Sequence, residues 1–261
     1  DTGFDYVLPY EHVLGANPER PGGWNGPYTH VHAFHEPMVL FGYLAGITQR
    51  IEFVTGILIL PQRQTALVAK QAAQVDLLSG GRLRLGIGIG WNKVEFEALG
   101  QDFHTRGKRI EEQVTMMRRL WTEPLVTFQG EHENINDAGI NPLPVQRPIP
   151  IWFGGGADIV LERMARLGDG WLPNSMPMDQ AQTLTGKLRG FLEQHNRVAE
   201  SFGIDARINV ARSSPAEWRE QLQGWRELGA THICANTLGG GLTTVAQHLD
   251  LLRQFRAETG L

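Results

Sequence analysis

Residues 50–100 read RIEFVTGILILPQRQTALVAKQAAQVDLLSGGRLRLGIGIGWNKVEFEALG. The stretch opens with an apolar, β-branched run at 51–60, continues with helical periodicity over 65–79 and returns to an apolar run at 83–89. Both runs are continuously apolar rather than alternating, as strands covered on both faces are. A strand, a helix and a second strand in that order predict a parallel pair with the helix outside.

The same unit recurs outward from this stretch. Further apolar runs lie at 4–8, 149–153, 170–173, 207–211 and 231–235, and helical periodicity at 37–49, 105–121, 157–167, 179–201, 216–228 and 244–257. Ser214 and Pro215 suit a helix start, and Gly168, Gly203 and Gly229 fall where helices should stop. Seven runs with intervening helices predict an α/β fold, a (β/α)8 TIM barrel, as one domain over 1–261. A barrel needs eight strands, and Asp1-Thr2-Gly3 reads as the tail of a helix, so the first strand and most of the first helix are expected to be missing from this sequence. An open doubly wound sheet is the alternative. Two stretches break the rhythm as insertions, at about 12–36 and 124–148, the second with a possible hairpin at Val126-Thr127-Phe128 and Gly139.

Composition narrows the function. The net charge of −4 lacks the basic surplus of a nucleic-acid binder, the apolar runs are too short to cross a bilayer, and one cysteine excludes an intramolecular disulfide. No charged-then-apolar leader opens the sequence, so a cytoplasmic protein is expected.

In a barrel the active site lies where the strands end. Glu11 and His12 follow the first run directly, and a histidine there can transfer a proton near neutral pH. Gly56 and Ile57 fall inside a strand, where a glycine marks a bulge, a close ligand approach or a plain kink. Gly86, Gly88 and Gly90 leave room on one strand face for a flat ligand or for tight packing; with Trp91 following, they do not form a dinucleotide fingerprint. Gly154, Gly155 and Gly156 sit between a run and a helix, where free N–H groups make an anion site or the glycines a flexible turn. Trp171 could flank a ring or simply pack. Arg63, Arg106, Lys108 and Arg109 could attract an anionic tail or be solvated helix charges. His30, His32 and His35 lie in a Pro/Gly loop with no Asp or Cys partner nearby, so no metal site is expected.

Across GFDYVLPYEHV, residues 50–100, RGKRIEEQV, PIPIWFGGG and GDGWLPN the chain resembles the bacterial luciferase-like family, and within it the branch of coenzyme F420-dependent oxidoreductases. The resemblance implies a barrel that holds a flavin or deazaflavin where its strands end. It makes His12 the histidine near the reactive ring carbon, with Glu11 in place of the more usual Asp. Gly56-Ile57 becomes the bulge behind the ring, often with a non-proline cis peptide, and Gly154–Gly156 the phosphate turn. Gly88 and Trp171 join the cofactor set, and Trp91, Asn92 and Glu95 match the loop over the substrate. Two departures stand out. Some deazaflavin members carry a tryptophan four residues past the histidine, where this chain has Ala16, and a catalytic glutamate after the glycines, where it has Trp91. The expected function is F420-dependent hydride transfer with a small organic substrate. The alternatives are an FMN-dependent monooxygenase and a non-catalytic flavin-binding barrel. A homodimer is implied, with no nucleic-acid or membrane partner.

Overall fold

The computed structural model describes residues 2–261. They divide into two compact units, one formed by Asp5–Ile151 and the other by Trp152–Leu261 with residues 2–4. The expected helix tail at Asp1-Thr2-Gly3 falls partly on Asp1, which lies outside the described residues.

The first unit contains β1 (Tyr6–Val7), α1 (Pro37–Ile47), β2 (Glu52–Val54), β3 (Leu58–Ile59), α2 (Thr65–Ser79), β4 (Leu83–Gly88), α3 (Lys93–Ala98), α4 (Arg106–Thr122), β5 (Val126–Gln129) and β6 (Asn134–Ala138). β1, β2 and β4 run parallel in that order, and β3 pairs with the far end of β4. The continuous run at 51–60 is therefore two short strands, because the chain leaves the ladder at Thr55–Ile57. The Gly56 N–H freed there donates to Pro9 O at 3.0 Å, and the Thr55 hydroxyl adds a bond to Gly86 O at 2.6 Å. The helix expected at 65–79 forms with those limits and ends where Gly80 takes the left-handed conformation, its N–H returning to Asp76 O and Leu77 O. Its alanines bring it close to α4, where the Trp121 indole donates to Ala69 O at 2.9 Å. β5 and β6 form the expected hairpin. The chain after it is fastened by buried Asp76, which accepts both the backbone and the side-chain N–H of Gln146.

The second unit holds β7 (Ile151–Gly154) from its second residue on, α5 (Asp158–Leu167), β8 (Gly170–Leu172), α6 (Met178–Gln194), β9 (Gly203–Asn209), α7 (Pro215–Glu227), β10 (His232–Asn236) and α8 (Val245–Thr259). Its strands are parallel from β7 through β8 and β9 to β10. Ile208, Val210, Trp218, Leu222 and Phe255 form a core on which Phe4 packs. Ser214 caps α7 in a reciprocal box with Glu217, and Gly168 and Gly229 stand at helix ends as expected. Gly203 does not. α6 stops at Gln194, a short 3-10 turn occupies Ala199–Ser201, and Gly203 begins β9, four residues ahead of the expected run. Its glycine serves packing, since a Cβ there would fall 2.1 Å from the Trp152 ring.

Candidate functional site

His12 and Glu11 follow β1, as expected, and their side chains go to different partners. The His12 Nδ1 lies 3.0 Å from Oε2 of Glu95. The other oxygen of Glu95 accepts the N–H of Val13 at 2.8 Å and of Leu14 at 3.2 Å. Glu95 is 1% exposed. Burial on its own would raise its carboxyl; the His12 hydrogen bond and charge, with the Leu14 and Val13 amides, outweigh burial and hold it below the ordinary value. A carboxylate only accepts, so Nδ1 carries the hydrogen and Nε2 is left to exchange protons. Nε2 has no hydrogen-bond partner among the described residues.

The six-residue α3, which the sequence pattern did not predict, places Glu95. Asn92 caps it by accepting the Val94 N–H at 3.1 Å, which puts Glu95 in the first turn, facing His12. Of the three residues expected in the loop over the substrate, two are engaged within the fold. Asn92, 3% exposed, is spent on the cap, and Glu95 is buried beneath the histidine. Trp91 keeps an open position, 45% exposed and edge-on to His12 with ring centroids 5.5 Å apart.

Glu11 is 5% exposed and turns inward. It accepts the Ile59 N–H at 3.1 Å and pairs with Arg63, which also reaches Glu36 at 3.1 Å. Burial pushes the Glu11 carboxyl above its ordinary value, against the pull of Arg63 and the Ile59 amide. Its visible work is to hold the chain just after Gly56 and Ile57, whose peptide bond is cis. A Cβ at Gly56 would lie 1.9 Å from Leu8 Cδ2, so a side chain here would displace that of Leu8. On the glycine strand a Cβ at Gly88 would lie 2.1 Å from the Ile57 side chain and one at Gly90 2.6 Å from that of Ile59, so both glycines have side chains packed over them. Arg109 is likewise spent internally, on Glu133 and the carbonyls of Pro61 and Arg63.

The glycine turn belongs to the second unit. Gly155 has φ of +112° and carries β7 into α5, whose cap, Ala157, offers no side-chain acceptor. The Val160 N–H turns back to Ala157 O at 2.8 Å, and no side-chain cap takes the amides ahead of it. Trp171 is fully buried behind this turn, edge-on to Trp225, and donates its indole N–H to Gly155 O at 2.7 Å. Asp158, in the first turn of α5, pairs with Lys187 at 2.8 Å.

His32 is bonded through Nδ1 to the Thr29 amide and lies apart from any metal-holding set, for no three His, Cys, Asp or Glu gather for a metal among the described residues. No described helix is long and apolar enough to cross a membrane.

The profile of a family described as luciferase-like monooxygenase matches residues 1–260. The uncharacterized protein Rv0940c of Mycobacterium tuberculosis is 36% identical over 182 residues, 70% of this chain and 62% of that one. An F420-dependent glucose-6-phosphate dehydrogenase of Kineococcus radiotolerans is 33% identical over 216 residues, 78% of this chain and 63% of that one. An FMNH(2)-dependent dimethylsulfone monooxygenase of Pseudomonas putida is 30% identical over 192 residues, 72% and 52%. The chain therefore spans less than two thirds of the length of these relatives. The monooxygenase RslO1 of Streptomyces bottropensis superposes with a TM-score of 0.78 at 20% identity, covering 100% of this chain and 90% of that one. That likeness settles the fold as the expected α/β barrel type, and sets aside the open doubly wound alternative.

Proposed function

Because the chain belongs to the luciferase-like monooxygenase family, whose members include F420-dependent and FMNH2-dependent oxidoreductases, we propose that it is an oxidoreductase that uses coenzyme F420 to pass hydride to or from a small organic substrate, with His12 handling the proton. A bound deazaflavin supplies the hydride chemistry that side chains lack. One observation carries the assignment of His12: its Nδ1 is fixed by a buried carboxylate while Nε2 has no hydrogen-bond partner among the described residues, so the ring is aimed and its proton is taken or given at one atom. Glu11, Arg63 and Ile59 act behind it, holding the Gly56–Ile57 break in place.

The glycine turn of the second unit suits an anionic tail. The Gly154–Gly156 turn is the proposed anion seat, because its helix start is uncapped and its glycines leave the backbone bare. A Cβ at Gly155 would stand 3.1 Å from Val160, and one at Gly156 would stand 3.1 Å from Leu184. F420 is favoured over FMN because the F420-dependent relative matches more of the chain at higher identity. A cytoplasmic homodimer belongs to the same reading, and exposed Val39, Tyr43 and Ile47, one turn apart on α1, offer the surface for it.

Titrating the purified protein with F420 and with FMN tests the proposal. Saturable F420 binding is expected. FMN binding without F420 binding would replace it with the reduced-flavin monooxygenase reading, and binding of neither would leave a barrel without the proposed chemistry.

A further inference from the structure

A cavity of about 990 Å3 opens along α6 in the second unit. Its walls come from α6, from the chain between α6 and β9, and from the turn between α7 and β10. It therefore lies where β9 and β10 begin, at the opposite end of these parallel strands from the Gly154–Gly156 turn that follows β7. A space of this size holds a small organic molecule.

The lining is sorted by depth. Leu188, Leu192, Phe202 and Ile204 are buried and make an apolar floor. Arg189, Glu193 and Glu200 are exposed and make a charged rim. Thr185 interrupts the floor. It is 1% exposed, and its hydroxyl has no hydrogen-bond partner among the described residues. A buried hydroxyl left unpaired costs stability, and a ligand atom bonded to it would relieve that cost.

The charges here are unevenly engaged. Arg197 donates to Ala165 O at 2.8 Å and to Gly168 O at 2.6 Å, and lies over the Phe202 ring. Arg189 stands one turn before Glu193 on α6, yet it donates to Leu228 O at 3.0 Å instead. The carboxylates of Glu193 and Glu200 have no partner among the described residues. An arriving carboxylate would meet guanidinium groups already bonded to carbonyls, whereas an ammonium would meet two open acceptors. The helix also sets a spacing: Glu193 follows Thr185 by eight residues, about 12 Å along the axis.

We infer that this cavity binds a primary amine whose apolar, ring-sized body ends in a hydroxyl. The ammonium sits at Glu193 and Glu200, the body over Leu188, Leu192 and Phe202, and the hydroxyl at Thr185. This ligand is additional to the cofactor and substrate of the proposed reaction.

Calorimetric titration of the whole chain tests this with three probes: tyramine, phenethylamine, which lacks the hydroxyl, and 3-(4-hydroxyphenyl)propionate, which reverses the charge. Saturable tyramine binding is expected, with phenethylamine about two- to tenfold weaker and the propionate weaker than either. Glu193→Gln, at an exposed position, should weaken both amines about two- to fivefold. Thr185→Val should bring tyramine down to the affinity of phenethylamine and leave phenethylamine unchanged, a difference that a merely structural role would not produce. That variant loses no hydrogen bond, so it should melt no earlier than the wild type. Three outcomes overturn the inference: no saturable binding of either amine, the propionate binding as tightly as tyramine, or tyramine affinity unchanged in both variants.

Discussion

The candidate regions of the two units, one in each, are built in opposite ways. Around His12 the parts are side chains drawn from positions 11, 12, 63 and 95, locked by buried charge. At Gly154–Gly156 the parts are backbone amides within one turn and one helix start, with a buried tryptophan behind them. A charge network loses function when one member is replaced, because the others were buried on its account. A backbone seat tolerates most neighbouring side chains and fails only when its conformation changes. Substitutions on the two sides should therefore differ in kind as well as in size.

The largest effect is expected from His12→Ala. Removing a positioned acid–base group should lower turnover about 100- to 10,000-fold, while the Kd for cofactor moves little. Steady-state rates beside a binding titration check this. Parallel loss of both quantities would make His12 part of the binding surface and erase the contrast.

Glu95→Gln probes the same network one step back. The amide can still meet Nδ1 but can also donate to it, which lets the ring present N–H at Nε2. Turnover should fall, by less than in His12→Ala, and the fold should lose about 1–3 kcal/mol. The pH dependence carries a sign. The Glu95 carboxyl lies below its ordinary value, so the stability it contributes is present above about pH 4.3 and drains away as pH falls through the depressed value. Denaturant melts of the wild type should weaken over that acid range, and the Gln variant should lack this part of the slope. Equal slopes would mean that the His12–Glu95 contact does not organise the site.

This contrast also separates what the sequence made legible from what it hid. α2 was readable to the residue because its period, its alanines and its glycine stop agree. The glycine turn was readable because every part of it is adjacent in the chain. The His12–Glu95 pair was not, since 83 residues separate the partners and α3 is too short to show a period. Where some family members carry a glutamate directly after the glycines this chain has Trp91, and the glutamate in contact with the histidine, Glu95, comes four residues later. An Asn with Glu three positions on, the pattern Asn92–Glu95, was the available signal for a helix start there. β9 began early because Gly203, a stop signal in isolation, is shaped by the Trp152 ring, a contact no local pattern carries.

On the backbone side, Gly155→Ala should cost about 1–3 kcal/mol, because φ of +112° suits only glycine and the new methyl meets Val160. Cofactor Kd should rise with it, and turnover at saturating cofactor should hold. Gly155→Asp should raise Kd further by setting a charge against an anion. Thermal melts and binding titrations separate the two causes: the Ala variant reports strain, and the difference between the variants reports charge. A turnover loss at saturation would couple the turn to chemistry and break the comparison.

The smallest effect is expected from Asp158→Asn. Asp158 lies in the first turn of α5, where a negative charge favours the helix by about 0.3–1 kcal/mol. Its pairing with Lys187 is exposed and adds little. An anionic ligand on the same amides would compete with that carboxylate for the helix end, so the Asn variant should melt slightly earlier yet hold the cofactor a few-fold more tightly. Raising the salt concentration should shrink the gain, as it screens exposed charge. Stability and affinity moving in opposite directions is the mark of an anion seat at this helix start. If both fell together, the amides would be serving the helix alone, and the acceptor for the anionic tail would have to be sought elsewhere in the chain.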